Sequence, residues 1–169
     1  MESYSWGVSR APRPYLTRRP RRLGWMDFET AVGIAAHAHH GQKDKEGVVY
    51  LLHPLRVALV VSPEARNVGV LHDVLEDTNQ TRQSLEEAGL TDEELDAVEL
   101  LTRRDDETYE QYIERIVVAN GRAGELAREV KLADVRDKLG RMPASDAPAW
   151  VERHERYEKA IARLSVSPG

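Results

Sequence analysis

Four polar side chains stand together in an otherwise apolar stretch. They are His72, Asp73, Glu76 and Asp77, within Val68-Gly69-Val70-Leu71-His72-Asp73-Val74-Leu75-Glu76-Asp77-Thr78. On a helix turning about 100° per residue, Glu76 falls near 40°, Asp73 near 100° and Asp77 near 140° from His72. All four share one arc. Val68, Leu71 and Leu75 flank it on one side, Val70 and Val74 on the other. Gly69 projects nothing and reads as leaving room above the quartet. A helix apolar on both flanks belongs at the centre of a bundle. Its polar arc then faces inward, where three carboxylates and an imidazole are costly to bury unpaired. A divalent cation in an aqueous cleft resolves that charge. An internal His–Asp ion-pair network is the competing reading.

The chain has no cysteine, so a metal here must be held by His, Asp and Glu. Two further candidates complete a ligand set. His53 precedes Pro54 at a loop-to-helix junction. Asp134 lies in Lys131-Leu132-Ala133-Asp134-Val135-Arg136-Asp137-Lys138, with Leu126, Val130 and Ala133 favouring an inward position. Lys131 and Lys138 fall within about 60° of Asp134 on a helix. His37, His39 and His40 form a second cluster, read as helix-end histidines before a second metal site. Tyr109 and Tyr112 read as core or cleft-lining rings.

The elements that must position these residues are helices. Asp27 caps one carrying Phe28, Ala31, Ile34, Ala35 and Ala38, which Gly41 ends. A polar loop follows, Gln42 to Val49. Pro54 opens an apolar helix over Leu55 to Val61. Ser62-Pro63 starts the helix that carries the quartet. Thr81 opens a short helix that Gly89 stops. Thr91-Asp92-Glu93-Glu94 is a capping box. Thr108 begins the next helix, residues 123–139 form another, and Asp146 to Leu164 the last, with Trp150, Tyr157, Ile161 and Leu164 inward. No stretch reads as a strand, so the body is an all-α single domain over residues 26–169.

Its 169 residues can bury a core without disulfides. The net charge of −5 is uneven: residues 1–24 hold six arginines against one Glu, and the remainder is strongly acidic. An acidic body argues against broad binding to nucleic acid. Residues 1–25 read as a basic, disordered tail, or as sequence ahead of a start at Met26. No run approaches the roughly 18 apolar residues of a membrane span, and no secretory segment is evident. The expectation is a cytoplasmic protein without a membrane partner.

Four stretches now carry a resemblance. They are Ala38-His39-His40-Gly41-Gln42, Tyr50-Leu51-Leu52-His53-Pro54-Leu55-Arg56-Val57-Ala58, Leu71-His72-Asp73-Val74-Leu75-Glu76-Asp77-Thr78 and Lys131-Leu132-Ala133-Asp134. In order and spacing, over residues 27–164, the chain resembles the HD-domain metal-dependent phosphohydrolases, specifically the hydrolase domain of the Rel/SpoT family. The resemblance implies an HD-type helical bundle with one Mn2+ held by His53, His72, Asp73 and Asp134. It implies that Glu76 and Asp77 position or activate the attacking water. It implies a small-molecule nucleotide substrate, (p)ppGpp, which loses its 3′-pyrophosphate to leave GDP or GTP. The length suggests a stand-alone small alarmone hydrolase. Oxygen and imidazole ligands suit Mn2+.

Two positions depart from that family. Asp44 stands where an Arg usually stacks on the guanine, leaving Lys43 to cover a base face. Lys138 stands where an Asn usually lies near the ribose, and a long cation there suits a phosphate. Lys43, Lys131 and Lys138 are therefore the expected substrate contacts. A phosphohydrolase for another nucleotide or phosphorylated cofactor, and a nucleotide sensor without turnover, remain as alternatives.

Overall fold

Local side-chain hydrogen bonds set the starts of four helices. In the computed structural model, which describes residues 25–166, the Asp27 carboxylate accepts the Thr30 N–H at 2.8 Å and opens α1 (Phe28–Ala38). Thr81, Thr91 and Thr108 cap α5 (Arg82–Ala88), α6 (Asp92–Leu101) and α7 (Tyr109–Val118). Each threonine is reciprocated three residues on, by Ser84, Glu94 and Gln111, so two amides are satisfied at each start. Gly89 ends α5 at φ +105°, a conformation that other residues rarely adopt. Two long helices complete the chain, α8 (Gly121–Gly140) and α9 (Pro148–Leu164). The described residues contain no strand; Lys43 and Val49 form one isolated antiparallel bridge.

Two boundaries differ from the sequence reading. The helix α2 spans Leu52–Val60, so His53 and Pro54 lie inside its first turn. A proline is tolerated there because its missing N–H would have had no partner in the helix. The expected single helix after Ser62 is broken into a 3-10 turn (Pro63–Ala65), α3 (Arg66–Leu71) and α4 (Val74–Asp77). The break falls on His72-Asp73. The His72 Nδ1–H donates to the Gly69 carbonyl at 2.7 Å. That carbonyl is the one Asp73 N–H would use in an unbroken helix, so the imidazole competes with the backbone at this point.

The longest helix, α8, is the spine, packed against α2, α3, α6, α7 and α9. The short α3 is central, covered by α1, α2, α6 and α8. Val68, Val70 and Leu71 are fully buried there, beside Val57 and Ala58 of α2 and Val130 of α8. Gly69 serves a different purpose from the one expected. A Cβ on it would lie 3.0 Å from Ala58 Cα, so its absence lets α2 and α3 meet backbone to backbone. This contact brings the helix of His53 against the helix that leads into His72.

The basic tail expected over residues 1–25 lies outside the described residues, apart from exposed Trp25. No described helix is long and apolar enough to cross a membrane.

Candidate metal centre

Three of the expected ligands converge. His53 from the first turn of α2, His72 from the break between α3 and α4, and Asp134 from α8 are all buried. One ligand atom from each lies within 4.8 Å of the others. His53 Nε2 is 3.1 Å and His72 Nε2 is 3.8 Å from Asp134 Oδ1. Asp73 stands beside this triad, with Oδ2 3.0 Å from His72 Nε2 and 3.7 Å from His53 Nε2.

The other edge of each imidazole is already engaged. His72 Nδ1 bonds a backbone carbonyl, which can only accept, so the proton sits on Nδ1. In its neutral form the ring therefore presents a lone pair at Nε2. His53 Nδ1 bonds the Asp137 carboxylate at 2.8 Å, which sets the same tautomer. Asp137 is in turn clasped by Arg56, through Nε at 2.6 Å and Nη2 at 3.0 Å. His53 Nε2, His72 Nε2 and Asp134 Oδ1 are buried without a hydrogen-bond partner among the described residues. With both rings neutral, two lone pairs and a carboxylate oxygen face one another and repel unless a cation joins them; the Lys138 ammonium lies 2.7 Å from that oxygen. The donor set thus fits a divalent metal ion, with histidine orientation fixed from the outside.

The electrostatics agree. Burial opposes a charge on His72, but the Asp73 and Asp134 carboxylates outweigh it and push its pKa up to about 9. Burial would also raise Asp134, yet Lys131 and Lys138 hold it well below the usual carboxylate range. Asp73 is held below that range by His72 and Lys138 against the same burial. These acids remain charged and favour positive charge between them.

Residues around the centre include some that sequence reasoning missed. The Tyr50 hydroxyl donates to Asp73 Oδ2 at 2.5 Å and lies 3.3 Å from Asp77 Oδ2. Burial and the Asp73 charge push the phenol far above its ordinary pKa, so it remains a donor. His39, buried, bonds Gln42 at 2.8 Å, and Gln42 donates to the Asp77 carbonyl at 2.9 Å. This chain ties the end of α4 to the end of α1. His37 and His40 are exposed and share no site with His39. The signal for Asp137 was its spacing, one turn beyond Asp134; nothing in the sequence pairs it with His53.

The expected catalytic acids lie on the solvent side. Glu76 and Asp77 are exposed at the end of α4. Glu76 Oε2 accepts the Arg103 N–H at 3.1 Å. The expected lysines separate. Lys131 is buried behind Asp134, with Nζ 2.8 Å from Oδ2 and 4.6 Å from the Tyr112 ring centroid. It does not line the adjoining cavity, and its place is support for Asp134. Tyr112 is likewise core, its hydroxyl bonded to the Leu101 carbonyl. Lys43 and Lys138 do line that cavity. It measures about 500 Å3 and lies between the 42–49 loop, α2, the end of α8 and α9. His53, Asp137 and Lys138 form part of its wall, together with Arg141, Arg153, Arg156, Trp150 and Tyr157.

Comparison with known proteins gives a consistent picture. No family model matches the chain. It is 38% identical over 60 residues to guanosine-3′,5′-bis(diphosphate) 3′-pyrophosphohydrolase of Borreliella burgdorferi, covering 32% of this chain and 9% of that protein. The enzyme of the same name from Haemophilus influenzae is 41% identical over 59 residues, again 32% of this chain and 9% of that protein. A putative chloroplast GTP diphosphokinase of Arabidopsis thaliana is 40% identical over 72 residues, 39% of this chain and 8% of that protein. The matched stretches thus span less than a tenth of these relatives. Among solved structures, a metazoan orthologue of SpoT that hydrolyses ppGpp superposes with a TM-score of 0.69 at 21% identity. That match covers 84% of this chain and 87% of the other. The chain is thus similar in fold to that SpoT orthologue, and over about a third of its length it is similar in sequence to guanosine-3′,5′-bis(diphosphate) 3′-pyrophosphohydrolases.

Proposed function

We propose that the chain is a Mn2+-dependent hydrolase that removes the 3′-pyrophosphate of (p)ppGpp. The observation that carries this reading is the convergence of three buried ligand atoms, none with a hydrogen bond among the described residues, beside a cavity rich in cations and aromatic rings. His53, His72 and Asp134 would hold the ion, with Asp73 at its side. Bound there, a divalent ion lowers the pKa of water and offsets phosphoryl charge. The residues of the chain supply the rest. Asp137 and the Gly69 carbonyl orient the two imidazoles. Tyr50 holds Asp73 by its hydroxyl. Glu76 and Asp77 would take the proton of an attacking water, Glu76 steadied by the Arg103 amide. Lys43, Lys138, Arg141 and Arg153 offer positive charge to a substrate carrying several phosphates, and Arg153 lies over the Trp150 ring at 5.1 Å. Hydrolysis places the water oxygen on the phosphorus attached to the 3′-oxygen. That oxygen leaves with a proton as the nucleotide hydroxyl, and pyrophosphate is released.

One observation favours a second reading, in which the base differs. Asp44 lines the cavity but engages its own loop: its Oδ1 accepts the Glu46 and Val48 amides at 3.0 and 2.8 Å. The base contact expected from an Arg at this position is therefore supplied elsewhere or not at all. A panel of ppGpp, pppGpp and other 3′- and 5′-phosphorylated nucleotides, incubated with Mn2+ and resolved by chromatography, tests both. GDP or GTP with pyrophosphate supports the first reading; turnover confined to another nucleotide supports the second; no turnover of any sinks both.

A further inference from the structure

We propose that Lys138 is a resident cation that competes with the divalent metal for Asp134 Oδ1 and yields that oxygen when a substrate phosphate draws it away. The proposal rests on the metal-dependent reading above. Asp134 offers two oxygens. Oδ2 is held by Lys131, which is buried and covered by the Tyr112 ring. Oδ1 is the oxygen that faces both imidazoles, and Lys138 Nζ lies 2.7 Å from it. The contact is a salt bridge from a partly exposed ammonium. It is an electrostatic contact that a stronger cation can replace.

The charges around the centre make the competition consequential. Arg56 neutralises Asp137 and Lys131 neutralises Asp134. Lys138 then balances the remaining acid, Asp73. With the histidines neutral, as ligation of a metal requires, this set of side chains carries no net charge. A divalent ion entering it meets the repulsion of an ammonium on the very oxygen it needs. The two lysines differ in their freedom to give way. Lys131 is enclosed, whereas the Lys138 side chain is 35% exposed and lines the cavity. Rotation of its four-carbon stem moves the ammonium from Asp134 into that cavity. A phosphate bound there would retain it and restore the negative charge that attracts the metal. Metal and phosphate therefore bind cooperatively, by reciprocal linkage.

Mn2+ affinity measured by equilibrium dialysis on Lys138→Gln, Lys138→Arg and the parent protein tests this without reference to turnover. Lys138→Gln should bind Mn2+ at least about tenfold more tightly, since a like charge is removed from beside the ion. Lys138→Arg should remain close to the parent. The metal-free Lys138→Gln protein should melt below the parent, and Mn2+ should raise its melting temperature by more. A merely structural lysine would lower stability equally with and without metal. Inorganic phosphate should tighten Mn2+ binding to the parent and leave Lys138→Gln unmoved. Equal or weaker Mn2+ binding by Lys138→Gln, with hydrolysis by the parent intact, overturns this proposal and leaves the metal-dependent reading standing. An equal phosphate effect on both proteins overturns the exchange. Absence of Mn2+ binding from every variant overturns the metal-dependent reading and the proposal together.

Discussion

Asp137 accepts the Nδ1–H of His53 at 2.8 Å across 84 positions of sequence, while Arg56 grips both of its oxygens. One carboxylate thus joins α2 to α8 and turns the His53 lone pair toward Asp134. Asp137→Ala should lower Mn2+ affinity by roughly 10- to 100-fold, the usual consequence of losing the partner that orients a ligating histidine. Circular dichroism should remain helical, and dialysis against Mn2+ reads the loss. Unchanged affinity would show that His53 is positioned by α2 alone.

Ligands and proton-transfer groups should separate by metal content. His72→Ala and Asp134→Ala should lose bound Mn2+ and turnover together. Glu76→Gln should keep the metal and lose roughly 10²- to 10⁴-fold in rate, the range for a proton-transfer group. Elemental analysis beside kinetics distinguishes the two classes. Full occupancy in Asp134→Ala would remove Asp134 from the ligand set.

Gly69→Ala tests the approach of α2 and α3. Alanine would gain up to about 1 kcal/mol of helix propensity. Its methyl would lie 3.0 Å from Ala58 Cα, a backbone atom that cannot rotate aside. Overpacking of this kind costs about 1–3 kcal/mol, so the net change should be destabilising. Because the two helices carry His53 and His72, Mn2+ affinity should fall as well. Thermal unfolding and metal titration of the same variant read both effects; a higher melting temperature would contradict the contact.

The loop that meets Glu76 is held by an ion pair that acid should release. Arg115 bonds Glu107 through Nη2 at 2.6 Å and Nε at 3.0 Å, and reaches the carbonyls of Leu100 and Thr102. Arg115, with the Arg104 amide, holds the Glu107 carboxyl below its ordinary range. Folding therefore lowers this pKa. The stabilisation is present above the ordinary carboxylate range and is lost as pH falls through and below it. Glu107→Gln should cost roughly 1–3 kcal/mol at pH 7, the scale for unpairing a charged, largely buried hydrogen bond. The gap in melting temperature between variant and parent should narrow between about pH 5 and pH 3. A gap constant with pH would assign the cost to packing instead.

Residue types and near-neighbour spacing were enough to recover much of this molecule. Asp27, Thr81, Thr91 and Thr108 cap helices by bonds that close within three residues, so the sequence determined those starts by itself. The apolar flanks of the His72 segment likewise determined that it would be central. What the sequence left open depended on contacts between distant elements. The helix breaks at His72 because its ring reaches the Gly69 carbonyl, a choice between two local bonds that packing settles. Gly69 faces Ala58 because α2 lies against α3. Lys131 and Lys138 are one helical stripe in sequence, yet the cover of Tyr112 makes one a buried support and leaves the other on the cavity wall. Asp137 meets His53, and Tyr50 meets Asp73, over 84 and 23 positions. Local spacing determines which side chains share a face. Which faces meet, and so which atoms are left to hold a cation, is decided by how the helices pack.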